Sequence, residues 1–282
     1  MKIYISADME GVSGVVHREH TTPVGVDYDL ARRLTTWEVN AAAEAAFEAG
    51  ASEVVVSDSH GGNQFRSILI TELHPGAQLI TGGPRLLGQV EGLDGSFAML
   101  ILLGYHVRHG TFGVLDHTTN GQAIARVTVN GRELGEIGLN AYLAGYYGVP
   151  VGVVTGDDRT VQEAQAFLPW VKGAVVKWAV GRYSARCLPP GWAHSIIKDA
   201  VRAAISDRAT LQPFRADQPV TFHVRFKDSG TAQKVQTVPG VSAVDDTTVA
   251  LTAGDYPTAF KAYAALVDLW EPAWGQWQRG RG

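Results

Sequence analysis

The chain has 282 residues, 45% hydrophobic and 18% charged, which is ordinary for a globular protein and gives core enough for one large domain or a large and a small one. Its formal charge of −4 offers no broad attraction to nucleic acid or to an anionic membrane. A single cysteine, Cys187, excludes an internal disulfide framework; with an N-terminal apolar run too short for a signal-peptide core, it points to the cytoplasm.

In chain order, residues 2–7 read as a buried strand, β-branched and aromatic, that stops at Asp8. Residues 28–49 are alanine-rich and helical, closed by Gly50. Residues 53–57 form a second strand, 78–81 a weaker third, and 97–103 the clearest buried strand of all. Residues 124–129 alternate apolar and polar, and Asn130-Gly131 signals a hairpin into 132–134. A helix comes next over 136–147, then a strand over 151–155, a helix over 158–167 and a strand over 174–179. This alternation predicts an α/β fold with a mostly parallel, helix-covered sheet. After Pro189-Pro190-Gly191 the character changes. A helix over 192–206, a strand over 220–226, a short helix, paired strands near 241–251 and a helix over 256–270 make a smaller C-terminal α+β part. The expected division is a metal-binding catalytic domain at 1–185 and the smaller domain at 186–282, with a frayed tail over 275–282.

Five metal-ligand types sit just past strand ends or at a helix start: Asp8, Glu10, His60, His106 and Glu136. In an open α/β sheet, ligands bind in the crevice outside the carboxyl ends of the strands. Two imidazoles and three carboxylates exceed one closed structural site and suit a pair of zinc-like ions with positions left for water and substrate. Asp8 and Glu10 are two apart, so on extended backbone their carboxylates point to one side. Gly11 and Gly14 let the chain turn away. His60 has glycines behind it, and Asp58 can either orient its imidazole or cap local amides. His106 repeats the arrangement after a more apolar strand. Glu136 opens a helix, where a carboxylate also suits the helix dipole.

His117 lies eleven residues past His106, in a loop able to fold back over the site. Unligated, it can shuttle a proton or stabilise a tetrahedral intermediate. Other motifs fail. Gly11-Val12-Ser13-Gly14 lacks the lysine of a phosphate-binding loop, no H-E-x-x-H helix is present, and Cys187 has no partner histidine nearby in sequence.

At these residues the chain resembles the zinc-dependent D-aminopeptidases of the DppA type. The resemblance runs through nearly the whole chain. It is densest over Ser6-Ala7-Asp8-Met9-Glu10-Gly11-Val12-Ser13-Gly14, Ser57-Asp58-Ser59-His60, Val90-Glu91-Gly92-Leu93-Asp94, Leu103-Gly104-Tyr105-His106 and residues 135–142. It implies two zinc ions per subunit, with Asp8 bridging them, Glu10 and His60 completing one, His106 and Glu136 the other, and His117 catalytic. It also implies a short peptide as substrate, removal of its N-terminal D-amino acid, and a ring-like homo-oligomer, a decamer. A different metal-dependent amidase or phosphatase is the alternative, with Arg108 and Arg126 as candidate cations for a phosphoester. A non-enzymatic peptide-binding protein ranks below both.

Overall fold

The computed structural model describes residues 1–270; the expected frayed tail lies outside them. In chain order its strands are β1 (Lys2–Ala7), β2 (Glu53–Asp58), β3 (Ala77–Ile80), β4 (Phe97–Leu103), β5 (Ile124–Val129), β6 (Arg132–Glu133), β7 (Val151–Asp157), β8 (Lys172–Gly181), β9 (Ser184–Cys187), β10 (Val220–Phe226), β11 (Val241–Ala243) and β12 (Thr248–Ala253). Its helices are α1 (Arg18–Thr21), α2 (Tyr28–Glu48), α3 (Glu136–Tyr146), α4 (Asp158–Phe167), α5 (Pro190–Ser206), α6 (Ser229–Val235) and α7 (Tyr256–Asp268). The expected α/β class holds. Seven strands form one sheet in the order β3-β2-β1-β4-β7-β8-β9, parallel except at the β8–β9 edge.

Period-two patterning divides the faces of that sheet. Ile3, Ile5, Met99, Ile101 and Leu103 enter one apolar core with Val39, Ala43 and Ala46 of α2 and Ile197, Val201 and Ala204 of α5. Tyr4, Leu100 and Leu102 enter the other, with Ile137, Leu139 and Leu143 of α3 and Tyr256, Phe260 and Tyr263 of α7. The same core takes Val127 and Val129 of β5 and Phe222 and Val224 of β10. These strands belong to a second sheet, β11-β12-β10-β5-β6, antiparallel throughout. Helix α3 therefore has apolar neighbours around it, and every residue from Glu136 to Gly145 is buried.

The two sheets are not successive stretches of chain. Strands β5 and β6 precede residue 186 yet join the second sheet, while α5 lies beyond it and packs on α2 and the first sheet. Antiparallel pairing between β5 and β10 joins segments about a hundred residues apart, such as Val127 and Val224, so a break in composition at the prolines does not mark where the layers separate. No helix among the described residues is long and apolar enough to cross a membrane.

What positions the site is the strand order. The chain leaves β1 toward β2 and β3 on one side, and continues from β4 toward β7 and β8 on the other. The reversal opens a crevice at the carboxyl ends of β1 and β4, the place where open α/β sheets take ligands.

Candidate metal centre

Adjacent strands β2, β1 and β4 deliver His60, Asp8 and His106 to one rim, and α3 brings Glu136 as its first residue. The loops after β1 and β4 are tied together. The Asp8 amide donates to the Leu103 carbonyl at 2.8 Å, and the Gly11 amide to the Gly104 carbonyl at 2.7 Å. Only glycines permit this approach. A Cβ on Gly11 would lie 1.9 Å from the Tyr105 carbonyl oxygen, and one on Gly104, whose φ is +69°, would lie 2.3 Å from that of Asp8. A side chain at either position would drive apart the two loops that carry Asp8 and His106.

The carboxylate of Asp8 faces two ways. Its Oδ1 lies 3.4 Å from His60 Nδ1, and its Oδ2 lies 3.6 Å from His106 Nε2. Glu10 Oε2 is 3.2 Å from His60 Nδ1. Glu136 Oε1 is 3.3 Å from His106 Nε2 and 3.8 Å from His117 Nε2. Two groups of donor atoms result, Asp8–Glu10–His60 and His106–His117–Glu136, each drawn within 4.8 Å. Donor atoms around one tetrahedral zinc stand about 3.3 Å apart, given bonds of about 2.0 Å. The observed spacings fall near that value.

Hydrogen bonds on the far side of each ring fix which nitrogen is free. His60 Nε2 donates to the Thr21 carbonyl at 2.7 Å, leaving Nδ1 toward Asp8 and Glu10. His106 Nδ1 donates to the Val107 carbonyl at 2.9 Å. Its Nε2 is buried and has no hydrogen-bond partner, an expensive arrangement unless the lone pair serves a cation. His117 Nδ1 donates to the Leu115 carbonyl at 2.9 Å, and its ring stacks on His106 at 4.0 Å between centroids. Imidazoles and buried carboxylates facing one another at these spacings form a donor set able to take an electron-pair acceptor in place of the shared protons. The residues fit a metal.

The electrostatics show how strongly these carboxylates and imidazoles are coupled. Burial, with Glu10 adding to it, raises the Asp8 carboxyl to about 8. Burial also pushes Glu10 and Glu136 upward, but the imidazoles outweigh it: His60 holds Glu10 well below the usual range, and His106 holds Glu136 at about 2. For the rings, burial acts downward and loses to the carboxylates. Glu10 and Asp8 hold His60 well above its usual value, and Glu136 holds His106 at about 10. His117 is the exception. Burial first, and the charge of His106 second, keep it below 6.5, the usual histidine value.

Several neighbours of the site carry no signal in the sequence. Gln89 Nε2 donates to Glu136 Oε2 at 2.6 Å and reaches Asp8 Oδ2 at 3.4 Å, while its own Oε1 accepts from Asn140 Nδ2 at 2.6 Å. Asn140 Nδ2 also donates to the Tyr105 hydroxyl, which bonds to Ser6 and through it to Ser59. Thr119 contributes its amide to Glu136 Oε1 at 2.7 Å. Lys177, fully buried, donates to the carbonyls of Glu10, Val12 and Val15 at 2.5, 3.0 and 2.6 Å and so fixes the loop that carries Glu10. Asp58 resolves to its second reading: it accepts the amides of Ser67 and Ile68, and Thr21 orients His60 instead. Arg108 pairs with Glu133 and Glu163, and Arg126 with Glu133. Neither lines the cavity into which the donors open.

That cavity has a volume of about 930 Å³ and is lined by Asp8, Glu10, His60, His117, Glu136 and Gln89 on the metal side and by Phe65, Tyr183, Phe260 and Tyr263 among its aromatic residues. It is large enough for a small peptide. A model of the Peptidase M55 family, described as D-aminopeptidase, matches residues 1–265. A D-aminopeptidase from Bacillus subtilis (strain 168) is 35% identical over 270 residues, covering 95% of this chain and 97% of the relative. Among solved structures, the fold is similar to that described as Zn-dependent D-aminopeptidase DppA from Bacillus subtilis, a self-compartmentalizing protease. The TM-score is 0.93 at 34% identity, with 95% and 97% of the two chains covered.

Proposed function

This chain belongs to the Peptidase M55 family of D-aminopeptidases, and on that premise we propose that it is a zinc-dependent aminopeptidase with two zinc ions per subunit that hydrolyses the N-terminal D-amino acid from short peptides. The observation that carries the dinuclear reading is the split of Asp8, one oxygen toward each donor group. Asp8 would bridge, Glu10 and His60 would complete one position, and His106 and Glu136 the other. When bound, zinc supplies a Lewis acid for the scissile carbonyl and a water acidified toward neutrality.

His117 is assigned to proton transfer. Its Nδ1 hydrogen is committed to Leu115, so the lone pair of a neutral ring sits on Nε2, toward Glu136 and the cavity. Its lowered pKa keeps it neutral at pH 7. It can therefore accept a proton from the attacking water and, once protonated, donate it to the leaving amine. Thr119 and Gln89 hold the two oxygens of Glu136 from opposite ends, and Thr21 locks the His60 ring.

The preference for a D-residue comes from family membership. The relative's self-compartmentalizing assembly supports a homo-oligomer here, a decamer by resemblance. Val24, Val26 and Trp192, exposed by 91%, 87% and 64%, are apolar surface that assembly would cover. The test is hydrolysis of D-Ala-D-Ala and of L-Ala-L-Ala by zinc-loaded enzyme with a chelated control. Chelator-sensitive cleavage of the D-peptide alone is expected. Cleavage of the L-peptide instead removes the stereochemical assignment, and chelator-insensitive cleavage removes the metal.

A further inference from the structure

We propose that Arg18, Arg182 and Lys227 form a cationic rim that binds the free C-terminal carboxylate of a short peptide whose amino end lies at the metal centre. This rests on the peptidase reading and deepens it, naming the substrate class as peptides of two or three residues with an unblocked carboxyl end.

Three separate segments bring the cations together. Arg18 is the first residue of α1, three before Thr21, whose carbonyl holds His60. Arg182 lies in the turn between β8 and β9. The His17 ring meets Tyr183 edge-on with centroids 5.7 Å apart, and the Arg182 guanidinium stands 5.5 Å from that same Tyr183 ring. This contact draws α1 and the β8–β9 turn to one side of the cavity, and both arginines line it. Arg182 Nε lies 2.7 Å from Asp116 Oδ1, and its Nη2 donates to the Asp116 carbonyl at 2.8 Å, next to His117. Lys227 Nζ donates to the carbonyl of Gly121, another wall residue, at 2.5 Å.

The charges at this rim do not balance. Asp116 is committed to Arg182. The Arg18 guanidinium makes no hydrogen bond or ion pair among the described residues. Lys227 feels the excess: its pKa is lowered by burial first, then by Arg182 and to a lesser degree by Arg18, with Asp116 opposing. Holding three cations near one acid is unfavourable until an anion joins them. A carboxylate matches the planar fork of arginine and is bound through charge-assisted hydrogen bonds.

Chain geometry selects the ligand. An extended peptide advances about 3.3–3.6 Å per residue, so only peptides of a few residues can place both ends inside a cavity of about 930 Å³. Longer chains would present a neutral amide to the rim and gain nothing from it.

The experiment compares D-Ala-D-Ala with its C-terminal amide, which has the same scissile bond and no carboxylate. Wild-type enzyme should favour the free acid in kcat/KM. In Arg18→Ala the ratio of free acid to amide should fall by about tenfold, the weight of a charge-assisted hydrogen bond, carried by KM with kcat near its wild-type value. Arg18→Lys should restore part of the ratio, which a merely structural role would not do. An unchanged ratio in Arg18→Ala and in Arg18→Ala/Lys227→Ala overturns the proposal, as does an equal loss for both substrates. If wild-type enzyme cleaves neither peptide, the peptidase reading has failed, and calorimetric binding of the same pair decides the rim by itself. Tighter binding of the free acid, lost in Arg18→Ala, supports it, and equal binding of acid and amide overturns it.

Discussion

Asp8, Glu10 and His60 are exposed by 2%, 5% and 5%, and His106 and Glu136 by 1% and 5%, whereas the His117 side chain, which borders the same cavity, is 21% exposed. Every member of the first donor group is buried. Its imidazole is pinned by Thr21, and Lys177 grips the loop that carries Glu10. The second group shares Asp8 but adds a histidine whose pKa is lowered while its neighbour His106 is raised. Opposite shifts on rings stacked at 4.0 Å fit the proposed division of tasks, with His106 given to an ion and His117 to a proton. The group whose members are all buried, the closed one, suits retention of a metal, and the group that adds the partly exposed His117, the open one, suits chemistry.

The largest effect expected is that of Asp8→Ala, which removes the one carboxylate common to both groups. If the proposed pair of zinc ions is present, metal content by elemental analysis should fall from two ions per subunit to none, and turnover should fall to background. Two retained ions would refute the bridging assignment. Glu10→Ala should empty the closed group alone, so a loss of both ions there would erase the distinction between the groups.

Next comes His117→Ala. Zinc content should stay at the wild-type level while turnover falls by about 10²-fold or more, the usual contribution of a positioned acid–base group. The lowered pKa sets the sign of the pH dependence. The neutral ring is the working form, so as pH falls activity should persist until below 6.5 and then decline. That acid limb should vanish from the residual activity of the variant. Loss of a zinc ion from His117→Ala would instead make this histidine a ligand, a role its grouping with His106 and Glu136 permits.

The sequence reveals strand ends well and cross-chain contacts poorly. Apolar runs such as Phe97–Leu103 mark buried parallel strands, and the residues just past such runs fall on the ligand-binding rim, so Asp8, Glu10, His60 and His106 are legible by type and place. Glu136 is legible as a helix start. Thr21 and Gln89 are not, because they reach the site from irregular or very short segments that no periodicity marks, and Thr21 acts through its backbone carbonyl, for which residue type gives no signal. The same applies to the second sheet. The alternation of Ile124–Val129 announces a strand, but its partner Val220–Phe226 depends on tertiary packing that local pattern does not encode. Lys177 is hidden by its charge. A lysine in a strand reads as a solvated position, yet here it is fully buried among three carbonyls.

Gln89 offers the smallest and sharpest test, because its amide straddles the two groups unequally. Nε2 stands 2.6 Å from Glu136 Oε2 but 3.4 Å from Asp8 Oδ2, a strong bond to the open group and a weak one to the shared carboxylate. Asn140 fixes the amide's orientation by donating to Oε1, so the donor end must point at the carboxylates. Residues that orient metal ligands in this way typically contribute about 10–100-fold in affinity. Gln89→Ala should therefore weaken binding at the open group by about that factor, with a smaller loss at the closed one, read as two separating steps in a zinc competition titration against a chromophoric chelator. Gln89→Glu should do more damage to the apo protein, since a fourth carboxylate would join Asp8, Glu10 and Glu136 in a buried site, yet it should recover part of the zinc affinity by adding negative charge. Equal weakening at both steps in Gln89→Ala would mean that the amide acts through Asp8, and the asymmetry between the two groups would have to come from His117 and the cavity alone.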